Sequence, residues 1–184
     1  KGIEVREWSV DPRTGRLALE ALDAVLDEKV KLVAAPHCSN VVGEINPVRE
    51  VAKRAHAVGA VVAIDGVSYA PHGLPDLAEL GADIYLFSAY KTYGPHQGVM
   101  AVRPELAMAL PNQGHFFNDA KPRYRLTPAG PDHEQIAACA GIADYLEQVA
   151  EIAGGEGNPF RRAHKAMRAQ EVALARPLLD YLNG

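Results

Sequence analysis

Four short apolar runs alternate with helical segments in the first part of the chain, and this alternation restricts the fold more than any other feature. The predicted strands cover residues 32–36, 60–64, 83–87 and 98–102. Continuous apolar runs of this length are typical of strands that are buried on both faces of a parallel sheet. The sequence therefore predicts an α/β fold, with a mainly parallel sheet flanked by helices.

Helices are predicted between and after these strands. The clearest signals surround the second helix, because Asn46 is a favourable N-cap and Pro47 suits the first helical position. Gly59 then stops that helix. Pro177 is expected to kink or shorten the last helix. The predicted helices cover residues 17–27, 46–58, 75–80, 132–152 and 159–182.

The composition changes after the fourth strand. Residues 111–131 hold few apolar side chains and many Pro, Gly, Asn and His residues, so they are predicted to form a long surface loop. A glycine-rich stretch near residue 155 is a plausible boundary. We expect residues 1–155 to form the central part of a large domain, and residues 156–184 to form a helix that leads towards a small C-terminal domain. Both ends of the sequence suggest a fragment of a longer chain.

Composition and charge exclude several classes of protein. The 184 residues are 48 % hydrophobic and 23 % charged, as in ordinary globular proteins, and a net charge of −4 provides no basic surface for nucleic acid or an anionic membrane. The apolar runs are far shorter than the ~20 residues of a membrane helix. Two cysteines are too few for a disulfide framework or a four-cysteine zinc site. A cytoplasmic protein without a metal site is therefore predicted.

Polar side chains follow three successive predicted strands at the point where each strand ends. Ligands bind outside the carboxyl ends of the strands in an open parallel sheet, so we expect these side chains to form one site. A strand–helix–strand crossover separates Asp65 from Lys91 and should bring both to the same edge of the sheet. The candidate site residues are Asn40, Asp65, Ser68, Ser88, Tyr90 and Lys91.

This combination of side chains suits pyridoxal-phosphate chemistry. A lysine amine can form a Schiff base with the aldehyde of the cofactor. An aspartate beside the pyridine nitrogen keeps that nitrogen protonated, and the ring then accepts electrons from a substrate carbanion. Hydroxyl groups near the lysine can hold the phosphate. The sequence therefore predicts pyridoxal 5′-phosphate as the cofactor.

Three stretches of the sequence resemble the class V aminotransferase family of pyridoxal-phosphate enzymes, and most closely its cysteine desulfurase-like branch. They are HCSNVVG at residues 37–43 with INPV at 45–48, VAIDG at 62–66, and FSAYKTYGP at 87–95. The resemblance implies that the chain is part of the large domain of a fold-type I pyridoxal-phosphate-dependent transferase. It also implies a small amino acid as substrate and a homodimer as the working form.

The resemblance assigns a role to each matching residue. Lys91 corresponds to the Schiff-base lysine, which also carries a proton, and Asp65 to the partner of the pyridine nitrogen. Asn40 corresponds to the asparagine near the 3-oxygen of the ring. Ser88 corresponds to the serine that binds the phosphate.

Three positions depart from the pattern of the desulfurases. Ser68 stands where they carry glutamine, and Tyr90 stands where they carry histidine, although Tyr90 could donate to the phosphate as in kynureninase-like relatives. Within residues 127–131, where the family often has Gly-Thr, Gly130-Pro131 keeps the glycine but lacks the hydroxyl of a phosphate contact that the family makes across its dimer interface. Neither Cys38 nor Cys139 matches the persulfide-forming cysteine of the desulfurases.

The predicted activity is therefore carbon–sulfur bond cleavage of a cysteine-like amino acid through a Schiff base on Lys91. A class V aminotransferase, an epimerase and a kynureninase-like enzyme are the alternatives within the family. A non-catalytic binding module is the alternative outside it. No G-x-G-x-x-G motif follows a strand and no P-loop is present, which disfavours a nucleotide-binding module.

Overall fold

The computed structural model describes residues 2–127 and 130–184, and the chain divides into two compact units. The first unit contains the sheet and the second consists mainly of helices. The first comprises residues 1–68, 75–87 and 98–131, and the second comprises residues 69–74, 88–97 and 132–184.

The sheet contains four strands in the order in which they occur in the chain. They are β1 (Leu32–Pro36), β2 (Val61–Asp65), β3 (Ile84–Ser88) and β4 (Gly98–Val102). β1 pairs with β2 in parallel, and β2 pairs with β3 in parallel. The predicted α/β fold with a mainly parallel sheet is confirmed, and every strand lies within one residue of its predicted bounds.

The fourth strand runs in the opposite direction to its neighbour. The backbone N–H of Arg103, which follows β4, donates to the carbonyl of Asp83, which precedes β3, at 3.0 Å. The end of β4 therefore lies beside the beginning of β3, as in an antiparallel pair. An antiparallel edge strand on an otherwise parallel sheet is common in α/β folds.

The helices of the first unit pack on this sheet and connect its strands. Apolar residues of the second helix, among them Val51 and Ala55, are buried against Val62 and Ile64 of β2 in one hydrophobic core. The helices are α1 (Leu19–Asp23), α2 (Val48–Ala57), α3 (Leu77–Leu80), α4 (Pro104–Ala109) and α5 (Pro122–Arg125). The first is shorter than predicted: it begins at Leu19, because Ala18 is extended and forms its N-cap, and it ends at Asp23.

Asn46 is not the N-cap of α2, contrary to the sequence prediction. Its side chain is buried, and Nδ2 donates to the carbonyl of Pro36 at 2.8 Å. Its backbone N–H donates to the carbonyl of His37 at 2.8 Å. Both groups thus tie the loop before α2 to the end of β1, and the helix begins only at Val48.

The predicted loop at residues 111–131 contains a 3₁₀ turn at Phe116–Asn118 and the short helix α5. The guanidinium group of Arg125 is buried and donates to the carbonyls of Ala107 at 3.3 Å and Leu110 at 2.7 Å, at the end of α4. It also donates to Asp119 Oδ1 at 2.6 Å. Arg125 therefore satisfies carbonyls that have no partner within their helix.

The second unit contains α6 (His133–Ala138), α7 (Ala140–Ala153) and α8 (Pro159–Asn183). The single helix predicted for residues 132–152 is thus two helices, with Cys139 between them. Pro177 does not shorten α8, which continues to Asn183. That half of the helix is exposed, so solvent can satisfy the carbonyl that loses its N–H partner.

Candidate active site

Asp65 is held at the carboxyl end of β2 by the backbone around it. It is exposed, and its Oδ1 accepts a hydrogen bond from the backbone N–H of Val67 at 2.9 Å. Its carbonyl accepts a bond from the N–H of His37 at 2.7 Å. In the sheet it is the register partner of Pro36 on one side and of Leu86 on the other. The backbone of two neighbouring strands therefore fixes this carboxylate.

A buried aromatic pair lies beneath the turn that follows Asp65. A hydrogen bond of 2.9 Å joins Tyr85 Oη and His37 Nδ1, and the two rings pack edge to face with centroids 5.9 Å apart. Gly66 packs directly on Tyr85, since a Cβ at Gly66 would lie 2.1 Å from Tyr85 Cζ. The sequence carries no signal for Tyr85, whereas a glycine directly after Asp65 indicates a close approach of this kind.

Burial lowers the pKa of His37 to about 4, and stability should depend on pH as a result. The unfolded chain takes up a proton on this side chain near pH 6.5, whereas the folded chain does not until about pH 4. The unfolding free energy is therefore expected to fall by about 3 kcal/mol as the pH falls through that interval. Urea unfolding across the interval measures this loss.

The control for this titration is His115→Gln, since His115 is an exposed histidine of the same unit. We expect His37→Gln to flatten the pH dependence and His115→Gln to leave it as in the unsubstituted protein. Equal slopes in the His37 variant and the unsubstituted protein would contradict a neutral, buried His37.

Asn40 lies on an exposed turn between β1 and α2. Ser39 shapes this turn, because its Oγ accepts bonds from the N–H groups of Val41 and Val42, both at 3.3 Å. An antiparallel bridge between Cys38 and Ile45 closes its base. Ser68 is half-buried and is the last residue of the first segment of the first unit.

In the second unit, Ser88, Tyr90 and Lys91 lie on one tight turn. A 3₁₀ helix at Ala89–Thr92 follows β3 directly, and Thr92 is buried with its Oγ1 donating to the carbonyl of Ser88 at 3.1 Å. This bond fixes the turn and leaves Lys91 exposed. The Lys91 Nζ lies 6.0 Å from the centroid of the Tyr90 ring.

The ring of Tyr90 is itself held by a stacking contact. It lies parallel to the ring of His96, with centroids 4.5 Å apart and an angle of 6° between the planes. Both rings are exposed and belong to the same unit as Lys91. His96 was not a predicted site residue, and its position directly after the Gly94-Pro95 pair carried no signal for it.

The predicted site residues are divided between the two units. Asn40, Asp65 and Ser68 belong to the first unit, and Ser88, Tyr90 and Lys91 belong to the second. The loss of a phosphate contact was predicted for residues 127–131. Of these, Pro128 and Ala129 lie outside the described residues. Among the described residues, no group of three or more His, Cys, Asp or Glu side chains could hold a metal ion.

The chemistry of these donors fits pyridoxal phosphate. A carboxylate fixed at a strand end suits a pyridinium nitrogen, and an exposed primary amine suits an aldehyde. The hydroxyl groups of Ser88 and Tyr90 lie on the same turn as that amine and suit a phosphate.

No helix in the described part of the chain is long and apolar enough to cross a membrane.

Comparison with known proteins identifies relatives that are at least twice as long. An aminotransferase-like protein of Gibberella zeae is 34 % identical over 180 residues, which is 97 % of this chain and 42 % of that protein. A cysteine desulfurase of Yersinia pestis is 31 % identical over 163 residues, covering 80 % of this chain and 39 % of the enzyme. The chain therefore spans less than half the length of these relatives.

A solved structure and a family model agree with these relatives. The apo structure of a cysteine desulfurase from Thermococcus onnurineus matches 73 % of this chain and 37 % of its own, with 26 % identity and a TM-score of 0.60. The model of the aminotransferase class-V family matches residues 1–132, which include every candidate site residue. The chain belongs to the class V aminotransferase family of pyridoxal-phosphate-dependent enzymes.

Proposed function

We propose that this chain carries the cofactor-binding centre of an enzyme that cleaves the carbon–sulfur bond of a cysteine-like amino acid. The observation that carries the proposal is the exposed Lys91 on the turn after β3, together with Asp65 at the end of the neighbouring strand β2. The likeness to cysteine desulfurases supports the choice of bond. When bound, pyridoxal phosphate would supply an aldehyde and an electron-accepting ring.

Each side chain then has a defined task. The amine of Lys91 would bond the cofactor as a Schiff base and later take up and return a substrate proton. The carboxylate of Asp65 would keep a proton on the ring nitrogen. Ser88 and Tyr90 would donate to the phosphate. These tasks need only hydroxyl, amine and carboxylate groups that are fixed by backbone turns.

Asn40 and Ser68 complete the proposed site in the first unit. Asn40 would donate to the 3-oxygen of the ring, and its exposed position on the turn after β1 leaves the side-chain amide accessible. Ser68 is too short to reach as far as a glutamine, so its contact would be restricted to a nearby oxygen. We also propose a small amino acid as substrate, a homodimer as the working form, and the cytoplasm as the location.

A second candidate is another reaction of the same family, namely transamination, epimerisation or kynureninase-like cleavage. Two observations favour it. Ser68 and Tyr90 replace the glutamine and histidine expected in a desulfurase, and the Gibberella zeae relative is an aminotransferase-like protein.

The two cysteines, Cys38 and Cys139, are both half-buried, and neither matches the persulfide-forming cysteine of the desulfurases. We therefore propose that the acceptor thiol lies outside these 184 residues.

Borohydride reduction in the presence of pyridoxal phosphate tests the proposal. We expect one reduced adduct, located on Lys91 by mass mapping of peptides, because Lys91 corresponds to the Schiff-base lysine of the family and lies on one turn with Ser88 and Tyr90. The adduct should be lost in Lys91→Ala and weakened in Asp65→Ala. Absence of an adduct in correctly folded protein would favour a non-catalytic binding module instead.

The products distinguish the two enzymatic candidates. Incubation with cysteine and an added thiol should release sulfide and alanine if the proposed reaction is correct. Formation of a keto acid, or racemisation of an amino acid without sulfide, would instead identify the second candidate. Lys165→Ala provides a control in both assays, since Lys165 is an exposed lysine on α8.

A further inference from the structure

The buried pair formed by Tyr85 and His37 has no role in the proposed chemistry, yet Tyr85 packs against Gly66, the residue that follows Asp65. Tyr85 is 2 % exposed and His37 is 5 % exposed, and their side chains share a hydrogen bond of 2.9 Å. Burying polar groups is costly unless they have hydrogen-bond partners, and this bond supplies a partner to each of the two side chains. The bond therefore holds the ring of Tyr85 in one orientation.

That orientation is transmitted to the backbone of Gly66. The tyrosine ring occupies the space where a side chain at Gly66 would lie, with Tyr85 Cζ, Cε1 and Oη all within 2.2 Å of an ideal Cβ. The N–H of Gly66 is in turn bonded to the carbonyl of Leu86 at 2.7 Å. The ring contacts Gly66 on one side and this hydrogen bond holds it on the other. Together they restrict the backbone of Gly66 to one position.

The peptide at this position presents the N–H of Val67 to Asp65 Oδ1, at 2.9 Å. His37 also reaches the same strand end from the other side, because its backbone N–H donates to the carbonyl of Asp65 at 2.7 Å. One buried pair thus contacts the strand end that bears the carboxylate both through a ring and through a main-chain bond.

We propose that Tyr85 and His37 are positioning residues for Asp65, which hold its carboxylate in the orientation that meets a pyridinium nitrogen. This inference rests on the proposed function of Asp65 and adds two residues that act through it. The Tyr85 hydroxyl touches neither cofactor nor substrate in this role. Its removal should change the setting of Asp65 while the tyrosine ring continues to fill the core.

The test is a double-mutant cycle on the binding of pyridoxal phosphate. Tyr85→Phe removes only the hydroxyl, and it should weaken the binding of pyridoxal phosphate about fivefold, the change associated with the loss of one hydrogen bond. In an Asp65→Asn background the same substitution should have no further effect, because the carboxylate through which it acts is gone. The dissociation constant is measured by absorbance titration of the apo protein with pyridoxal phosphate.

Two further measurements separate positioning from general loss of stability. Amide hydrogen exchange in the apo protein should accelerate at residues 64–68 in Tyr85→Phe and remain unchanged in α2. The control Leu22→Ala removes a fully buried side chain of α1, so it should lower stability without changing cofactor affinity. Equal effects of Tyr85→Phe with and without Asp65 would overturn the positioning role.

Gly66→Ala tests the contact from the opposite side. The added methyl group must displace the ring of Tyr85 or the turn, so cofactor affinity should fall by at least tenfold, an effect comparable to overpacking a core. Replacement of the tyrosine ring by the smaller leucine side chain, in the double variant Gly66→Ala/Tyr85→Leu, should restore part of the affinity.

If the unsubstituted protein binds no cofactor, the proposed function fails. Hydrogen exchange at residues 64–68 still shows whether the pair holds the turn, and unchanged exchange there overturns this inference alone.

Discussion

Replacement of Lys91 with alanine is expected to lower turnover by about 10³-fold or more. The substitution removes both the amine that would bond the cofactor and the base that would move a substrate proton, and a positioned proton carrier alone contributes about 10²–10⁴-fold. The fold should be preserved, because Lys91 is exposed on its turn and the buried Thr92 holds that turn. Steady-state turnover and circular dichroism of the purified variant measure the two effects.

A small primary amine added to Lys91→Ala should restore part of the activity. The rate should increase with the basicity of the amine if the missing function is proton transfer. Lys165→Ala should retain full activity, since Lys165 lies on an exposed part of α8. Turnover in Lys91→Ala within tenfold of the unsubstituted protein would be incompatible with the proposed role.

Arg125→Ala is expected to lower the unfolding free energy by about 3 kcal/mol or more. The guanidinium is buried and donates to three carbonyls around the end of α4 as well as to Asp119. Its removal leaves these acceptors with fewer partners and an acidic side chain without its cation. Urea unfolding curves of the variant and the unsubstituted protein, fitted with one shared m-value, measure the loss.

The neighbouring Arg123 provides a matched control for this substitution. Both arginines lie on α5, but Arg123 is exposed and Arg125 is buried. Arg123→Ala should therefore change the unfolding free energy by no more than about 0.5 kcal/mol. Similar losses in the two variants would contradict the assignment of Arg125 as the residue that closes the end of α4.

The strands were predictable because they are short and apolar, and these properties depend on local sequence alone. The predicted burial on both faces was wrong, since buried and exposed residues alternate along β1 and no residue of β4 is buried. The start of α2 was not predictable in the same way. Asn46 has the chemistry of an N-cap, but its amide bonds Pro36 of a preceding strand, and no local pattern reports a contact of that kind. The loop around Arg125 shows the same limit, since the buried guanidinium binds carbonyls of a different helix.

The candidate site shows a similar division between local and tertiary information. The residues that would touch the cofactor lie at or after strand ends, so a prediction of the strands was sufficient to select Asp65 and Lys91 as candidates. Tyr85 lies inside β3 with its side chain in the core, where an apolar residue would give the same pattern. Its contact with Gly66 is visible only when two strands are paired.

The order of the strands has a consequence for how the first unit is assembled during synthesis. Each strand pairs with the strand made just before it, so no strand must wait for a distant segment to leave the ribosome. Contacts between segments that are close in sequence have a low entropic cost of closure and form early. The sheet can therefore grow one strand at a time, and the strand that ends in Asp65 has already been made when β3 leaves the ribosome.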